Sequence, residues 1–185
     1  MPAQTPPVTT GWKAHDFRLK GTDGKTWSLK DARGPKGLVV MFICNHCPFV
    51  KSIADKLARD MKGLAALGIG SIAIMSNDPD MHPEDSFDNM AKFKEANGFP
   101  FPYVIDETQE IAKAYDAVCT PDFFGYNAHR RLQYRGRLDE GRTAPPPTGA
   151  RRELVGAMRA IAATGIAPSD QVASIGCSIK WKAAA

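Results

Sequence analysis

The sequence predicts an α/β fold, a central mixed β-sheet flanked by helices and preceded by a β-hairpin, and three observations carry that prediction. Residues 37–43 (GLVVMFI) form an unbroken apolar run rich in β-branched side chains, which suits a strand covered on both faces in a parallel sheet. Beyond residue 50 the apolar positions switch to three- and four-residue spacing, so a helix follows the strand directly. Strand-like and helix-like segments then alternate to the end of the chain, the order that lays helices on the faces of a sheet.

Residues 1–11 (MPAQTPPVTTG) are rich in Pro and Thr and are expected to extend without a fixed fold, leaving a single domain over 12–182. Stretches around 17–19 and 26–29 flank Asp23-Gly24 and predict a hairpin. After the strand at 37–43, Val50, Ile53, Leu57, Met61 and Leu64 share one face of a helix that ends near Gly68. Residues 69–75 predict a second buried strand, and SNDPDMHPEDS after them a loop. Ser86 is placed to cap a helix that Gly98 and Pro100 stop near Asn97. A short strand at 103–106 and a short helix at 108–115 follow. Segments 122–126 and 132–137 flank a turn at 127–129 and predict an antiparallel hairpin. The last helix spans about 151–163, with Gly165 beyond it, and there is no internal repeat.

Composition narrows the function classes. The chain has 185 residues, 43% hydrophobic and 24% charged, enough for one domain with a true core. No apolar run approaches the ~18 residues of a membrane span. The amino terminus lacks the basic start and apolar segment of a secretory signal, so a cytoplasmic location is expected. The net charge of +4 gathers in scattered clusters such as Arg130-Arg131 and Arg151-Arg152. They lack the interleaved aromatic residues of a nucleic-acid platform and are expected to be solvated surface. Four cysteines are too few for a disulfide scaffold, and in a reducing compartment any disulfide should be transient.

The chemistry concentrates in FICNHCPF, residues 42–49. Cys44 is expected just past the strand and Cys47 in the first helical turn, where unpartnered N–H groups and the helix dipole favour a thiolate. His46, if protonated, adds positive charge beside it, and Pro48 fits a first turn. Other readings compete. Structural zinc needs four ligands, and Cys119 and Cys177 are isolated from each other and from any matching histidine. Two inert buried thiols and a monovalent copper site held by soft sulfurs are the remaining alternatives.

A second element stands downstream. Cys119-Thr120-Pro121 precedes an apolar strand, a place where Pro is tolerated and an X–Pro bond is sometimes cis. The cysteine pair at a strand-to-helix junction, the helix after it, and Thr-Pro leading into a hairpin and helix resemble the thioredoxin superfamily. The resemblance is to its redoxin branch, related to alkyl hydroperoxide reductase and thiol-specific antioxidant proteins. NHCPFVK, FPYVIDETQEIAKAY, CTPDFF, YRGRLD and IGCSIKWK are similar, more narrowly, to a group of bacterial thioredoxin-like proteins.

That resemblance implies a thioredoxin-like fold with Cys44 as the attacking and Cys47 as the resolving cysteine. It also implies a cis Pro121 facing them, Thr120 offering backbone groups to a substrate chain, and Asn45-His46 as the dipeptide that tunes the couple. The expected function is a thiol–disulfide oxidoreductase that needs no organic cofactor and no metal. Its partners would be protein or small-molecule disulfides and a dithiol electron donor, with neither nucleic acid nor membrane involved. The alternatives are a peroxiredoxin-like thiol peroxidase with antioxidant activity, which Arg135 or Arg137 would assist, and a copper or zinc module using the same cysteines. Cys119 is expected to pack and Cys177 to dock with the carboxyl-terminal segment, both being auxiliary thiols in the sharper reading. His15, His82 and His129 are expected at the surface.

Overall fold

The computed structural model describes residues 1–184. Strand β1 (Pro2–Gln4) precedes a hairpin of β2 (Arg18–Gly21) and β3 (Thr26–Ser28), and the short α1 (Leu29–Ala32) follows. Ser28 caps that helix reciprocally with Asp31, satisfying two otherwise orphaned donors. Next come β4 (Gly37–Phe42), α2 (Pro48–Lys51), α3 (Ala54–Ala65), β5 (Ile69–Met75), a 3₁₀ turn (Pro83–Asp85) and α4 (Phe87–Asn97). The chain closes with β6 (Tyr103–Ile105), α5 (Glu110–Ala114), β7 (Cys119–Thr120), β8 (Asp122–Asn127), β9 (Leu132–Gly136), α6 (Glu153–Thr164) and β10 (Ile175–Ser178).

The central sheet is mixed. One half runs β3-β2-β6-β5 and the other β4-β8-β9, and they meet where the Ile43 N–H donates to the Ile74 carbonyl at 3.1 Å. β5 and β6 are parallel, whereas β4 pairs antiparallel with β8 over its whole length. On its other edge β4 runs in the same direction as β5, since the Lys36 N–H donates to the Gly68 carbonyl near both starts as the Ile43 N–H does to Ile74 near both ends, so the parallel expectation for 37–43 holds on that edge and β8 adds an antiparallel neighbour on the other. An unbroken apolar run reports coverage on both faces and is silent on the direction of the neighbour. The coverage itself is complete. Val39, Met41 and Ile43 enter one core layer with Leu57, Met61 and Met158. Leu38, Val40 and Phe42 alternate into the other with Tyr115, Phe124 and Tyr126, as the two-residue period of a strand requires.

Two further differences from the sequence reading bear on the site. The helix expected from Val50 to Ala65 is broken at Ser52-Ile53, where Ile53 leaves helical geometry (φ −115°, ψ 0°). There the Ser52 hydroxyl donates to the carbonyls of Phe49 and Arg142, a side-chain competitor to regular helix hydrogen bonding. The expected free tail is likewise ordered in part. β1 pairs antiparallel with β10, and Thr5 is buried and hydrogen-bonded to Ser174 through backbone and hydroxyl. β10 in turn pairs with β7, so β1, β10 and β7 form a small second sheet at the carboxyl end of β4.

Candidate active site

The two strands β4 and β5 end side by side, and the segments that follow them build the site. Cys44 lies just beyond β4, and Cys47 is the N-cap of α2 with Pro48 at the first helical position, where its missing N–H costs nothing. Both sulfurs are buried, at 0% exposure. Thr120 touches both, its hydroxyl 3.3 Å from the Cys44 sulfur and its carbonyl oxygen 3.2 Å from that of Cys47. The Thr120–Pro121 peptide bond is cis. Sequence reading placed these four residues in one site, and the fold brings them together.

The residue that organises the loop between the cysteines was not singled out from sequence. Asp85, wholly buried, accepts from the backbone N–H groups of Asn45 (2.8 Å) and His46 (3.3 Å) with one oxygen. Its other oxygen pairs with His46 Nδ1 (2.6 Å) and the Asn77 side-chain amide (2.8 Å). Asn45 extends the network, donating to the Glu84 carbonyl and accepting from the buried Tyr103 hydroxyl at 2.8 Å. His82, expected at the surface, is half-buried and stacks on His46 with ring centroids 4.9 Å apart; His15 and His129 are exposed. The available signal was position. SNDPDMHPEDS follows directly on β5, and the carboxyl ends of adjacent strands are where α/β sheets gather functional groups.

The surroundings of the two thiols differ. The helix-start position belongs to Cys47, while Cys44 has Asp85 as its neighbour. The Cys47 thiol is lowered to about 5, chiefly by the hydrogen bond from Cys44, with contacts from Cys177 and Thr120 adding to it against the opposing effect of burial. Cys44 is pushed up by that same hydrogen bond, by burial and by the Asp85 charge. These surroundings favour the thiolate on Cys47 over Cys44. The His46 ring spends its Nδ1 on Asp85, so its role in the structure is to hold the loop.

The auxiliary thiols separate. Cys119 is buried, and its thiol is raised by burial and by Asp122. Cys177 is only partly buried, and its sulfur lies 2.9 Å from that of Cys47. Arg135 and Arg137 are committed elsewhere. Arg135 pairs with the buried Asp122 at 3.0 Å and lies over the Phe124 ring, and Arg137 grips Glu153 with two bonds of 2.8 Å. Neither hydrogen-bonds to Cys44 or Cys47. Cys44, His46 and Asp85 do offer three ligand atoms within 4.8 Å of one another. Both Asp85 oxygens, however, are already occupied by hydrogen-bond donors, so the donor set is organised around protons and fits a cation poorly. No helix among the described residues is long and apolar enough to cross a membrane.

Sheet, helices and a dithiol facing Thr-Pro define a thioredoxin-like fold. That architecture is shared with the thioredoxin domain of a thiol–disulfide oxidoreductase from Bacteroides vulgatus (17% identical, 73% of this chain and 90% of that one, TM-score 0.59). Within that class the chain belongs to the AhpC/TSA family, which matches residues 10–138. It is similar over its whole length to an uncharacterized conserved protein from Geobacillus kaustophilus, at 43% identity, with 100% of this chain and 98% of that one covered and a TM-score of 0.94. Among curated relatives, peroxiredoxin Bcp of Bacillus subtilis is 26% identical over 109 residues, 59% of this chain and 64% of that protein. Thiol–disulfide oxidoreductase ResA of the same organism is 26% identical over 125 residues, 68% and 65% of the two chains. The two curated relatives are thus a peroxiredoxin and a thiol–disulfide oxidoreductase.

Proposed function

We propose that the protein is a thiol–disulfide oxidoreductase working through the Cys44/Cys47 couple. The supporting observation is that both sulfurs of the C-x-x-C pack against Thr120, with the anionic one at a helix start. In the reducing direction the Cys47 thiolate attacks one sulfur of a substrate disulfide, forming a mixed disulfide and expelling the other sulfur as a thiolate that takes up a proton. Cys44 then loses its proton and attacks the Cys47 sulfur, which releases the second substrate thiol and leaves a Cys44–Cys47 disulfide. The proton that Cys44 gives up is taken by the departing substrate sulfur. A dithiol donor returns the couple to its reduced form. Substrates would be protein or small-molecule disulfides in the cytoplasm, and Asn45, His46, Thr120 and Pro121 shape the site.

The second reading is a thiol peroxidase, favoured by full burial of both sulfurs, since peroxide is a small oxidant. In it Cys47 is oxidised to sulfenic acid, with water as the reduced product, and Cys44 condenses with it to the disulfide, releasing a second water. Insulin reduction and peroxide consumption, each driven by dithiothreitol, separate the two. Disulfide exchange is expected to dominate in the wild type and to be lost in both Cys44→Ser and Cys47→Ser. Rapid peroxide turnover with no insulin reduction would select the peroxidase instead.

A further inference from the structure

The most exposed sulfur of the cluster is not in the C-x-x-C. Cys44 and Cys47 are closed to solvent, whereas Cys177 on β10 is partly open and touches Cys47 at 2.9 Å. The contact is built into the fold. Cys177 pairs with Thr120 and Ser178 with Cys119 along β7, while Pro2 of β1 pairs with Cys177 on the other edge. Gly176 lies so close to the Thr120 carbonyl that a Cβ has no room. Beyond the strand, the Lys180 N–H donates to Asn77 Oδ1 at 2.9 Å, and Gln109 bridges the carbonyls of Ser76 and Lys180. β10 is therefore a fixed wall of the site, and it holds a third thiol in register with the other two.

We propose that Cys177 is a third redox thiol of this site, the port through which an external dithiol reduces the buried couple. The inference rests on the Cys44/Cys47 reading. Exchange requires an attacking thiolate to reach a disulfide sulfur, and an external donor meets Cys177 before it meets either buried sulfur. In the first step the Cys177 thiolate attacks the Cys47 sulfur of the Cys44–Cys47 disulfide. A Cys47–Cys177 disulfide forms, and Cys44 leaves and takes up the proton that Cys177 gave up. In the second step a donor thiolate attacks the Cys177 sulfur, expelling Cys47 as a thiolate and leaving the donor bound to Cys177. The donor's second thiol then attacks its own bound sulfur and departs as a disulfide, returning Cys177 to the thiol. Two electrons pass from dithiol to couple with no other reactant. The acidities favour the second step, in which the sulfur of lower pKa is the one that leaves. Cys47 is lowered to about 5, and Cys177 is pushed up to about 11, by burial first and by Cys47 next.

Oxidation of the full chain with stoichiometric diamide, alkylation and non-reducing tryptic mapping test the port. Cys44 and Cys47 share peptide 37–51, and Cys177 lies in 160–180, so the two linkages differ in mass. A 37–51 to 160–180 cross-link is expected as a minor species in the wild type and as the main one in Cys44→Ala, or in Cys44→Ser should alanine not fold. Cys177→Ser, checked by circular dichroism, should lose the cross-link and slow re-reduction of the couple by dithiothreitol about tenfold. Absence of the cross-link from every Cys44 variant that folds, or an unchanged re-reduction rate in Cys177→Ser, overturns the inference. Absence of the linkage within 37–51 alone would instead overturn the Cys44/Cys47 reading on which it rests.

Discussion

The wall beside Cys44 and the wall beside Cys47 are built from different materials. On the Cys44 side stands a polar network centred on a buried carboxylate, with Asp85 holding Asn45, His46 and Asn77. On the Cys47 side stand a helix start and the backbone of two short strands, β7 and β10, with a second sulfur in contact. Two chemically identical thiols three residues apart are thereby split. The hydrogen bond between the sulfurs, then burial and the Asp85 charge, raises the Cys44 thiol, and that same bond with contacts from Cys177 and Thr120 lowers the Cys47 thiol. What separates the two thiols is first their own hydrogen bond and burial, to which the neighbouring carboxylate adds.

The largest expected effect tests that division directly. Cys47→Ser should cut disulfide reduction about a thousandfold or more, because it removes the nucleophile. Cys44→Ser combined with Cys177→Ser, which removes both thiols able to resolve it, should instead accumulate a mixed disulfide on Cys47, visible by intact mass after challenge with a disulfide peptide. Accumulation on Cys44 in Cys47→Ser, with none on Cys47, would restore the opposite polarity.

Next in size is removal of the polar wall. Asp85→Ala leaves buried donors of Asn45, His46 and Asn77 without an acceptor, each worth about 1–3 kcal/mol, so a net loss of roughly 3 kcal/mol is expected in urea unfolding. The same change should lower the Cys44 thiol pKa in a titration of thiolate absorbance.

A smaller effect reads the charge on Cys47 through stability. Its folded-state pKa, about 5, lies below the ordinary thiol value. The unfolded chain thus binds more protons between about pH 5 and the unperturbed thiol pKa of about 8.5. The stabilisation is fully present above the unfolded value and is lost as pH falls through the folded one. The Tm of the reduced protein should therefore rise with pH across this window more steeply than that of the Cys44–Cys47 disulfide form, in which Cys47 has no thiol to ionise. Parallel curves would place the charge elsewhere.

The smallest effect concerns His46. Because its ring bonds to Asp85, His46→Ala should loosen the 44–47 loop while moving the thiolate midpoint by less than about one pH unit. A larger displacement in the same absorbance titration would make the imidazole a direct partner of the thiolate.

Much of this was legible from local pattern. The run at 37–43, the period change after 50 and the Asp23-Gly24 turn identified the strand, the helix and the hairpin. The cysteine spacing and Thr120-Pro121 identified the candidate site, since each of these signals is carried by residues adjacent in the chain. Three things were not legible. β4 pairs antiparallel because β8, some eighty residues later, is its neighbour. Residues 2–4 are ordered because β10 offers them an edge. Asp85 read as one acid in a loop because its partners lie about forty residues away.

The sequence by itself determined which sulfurs exist, their spacing, and the strand-to-helix junction that gathers them, because propensity and periodicity act within a few residues. Only the tertiary structure decided which sulfur is acidic and which one meets solvent. Those properties depend on desolvation and on charges and thiols brought within a few ångströms by distant parts of the chain.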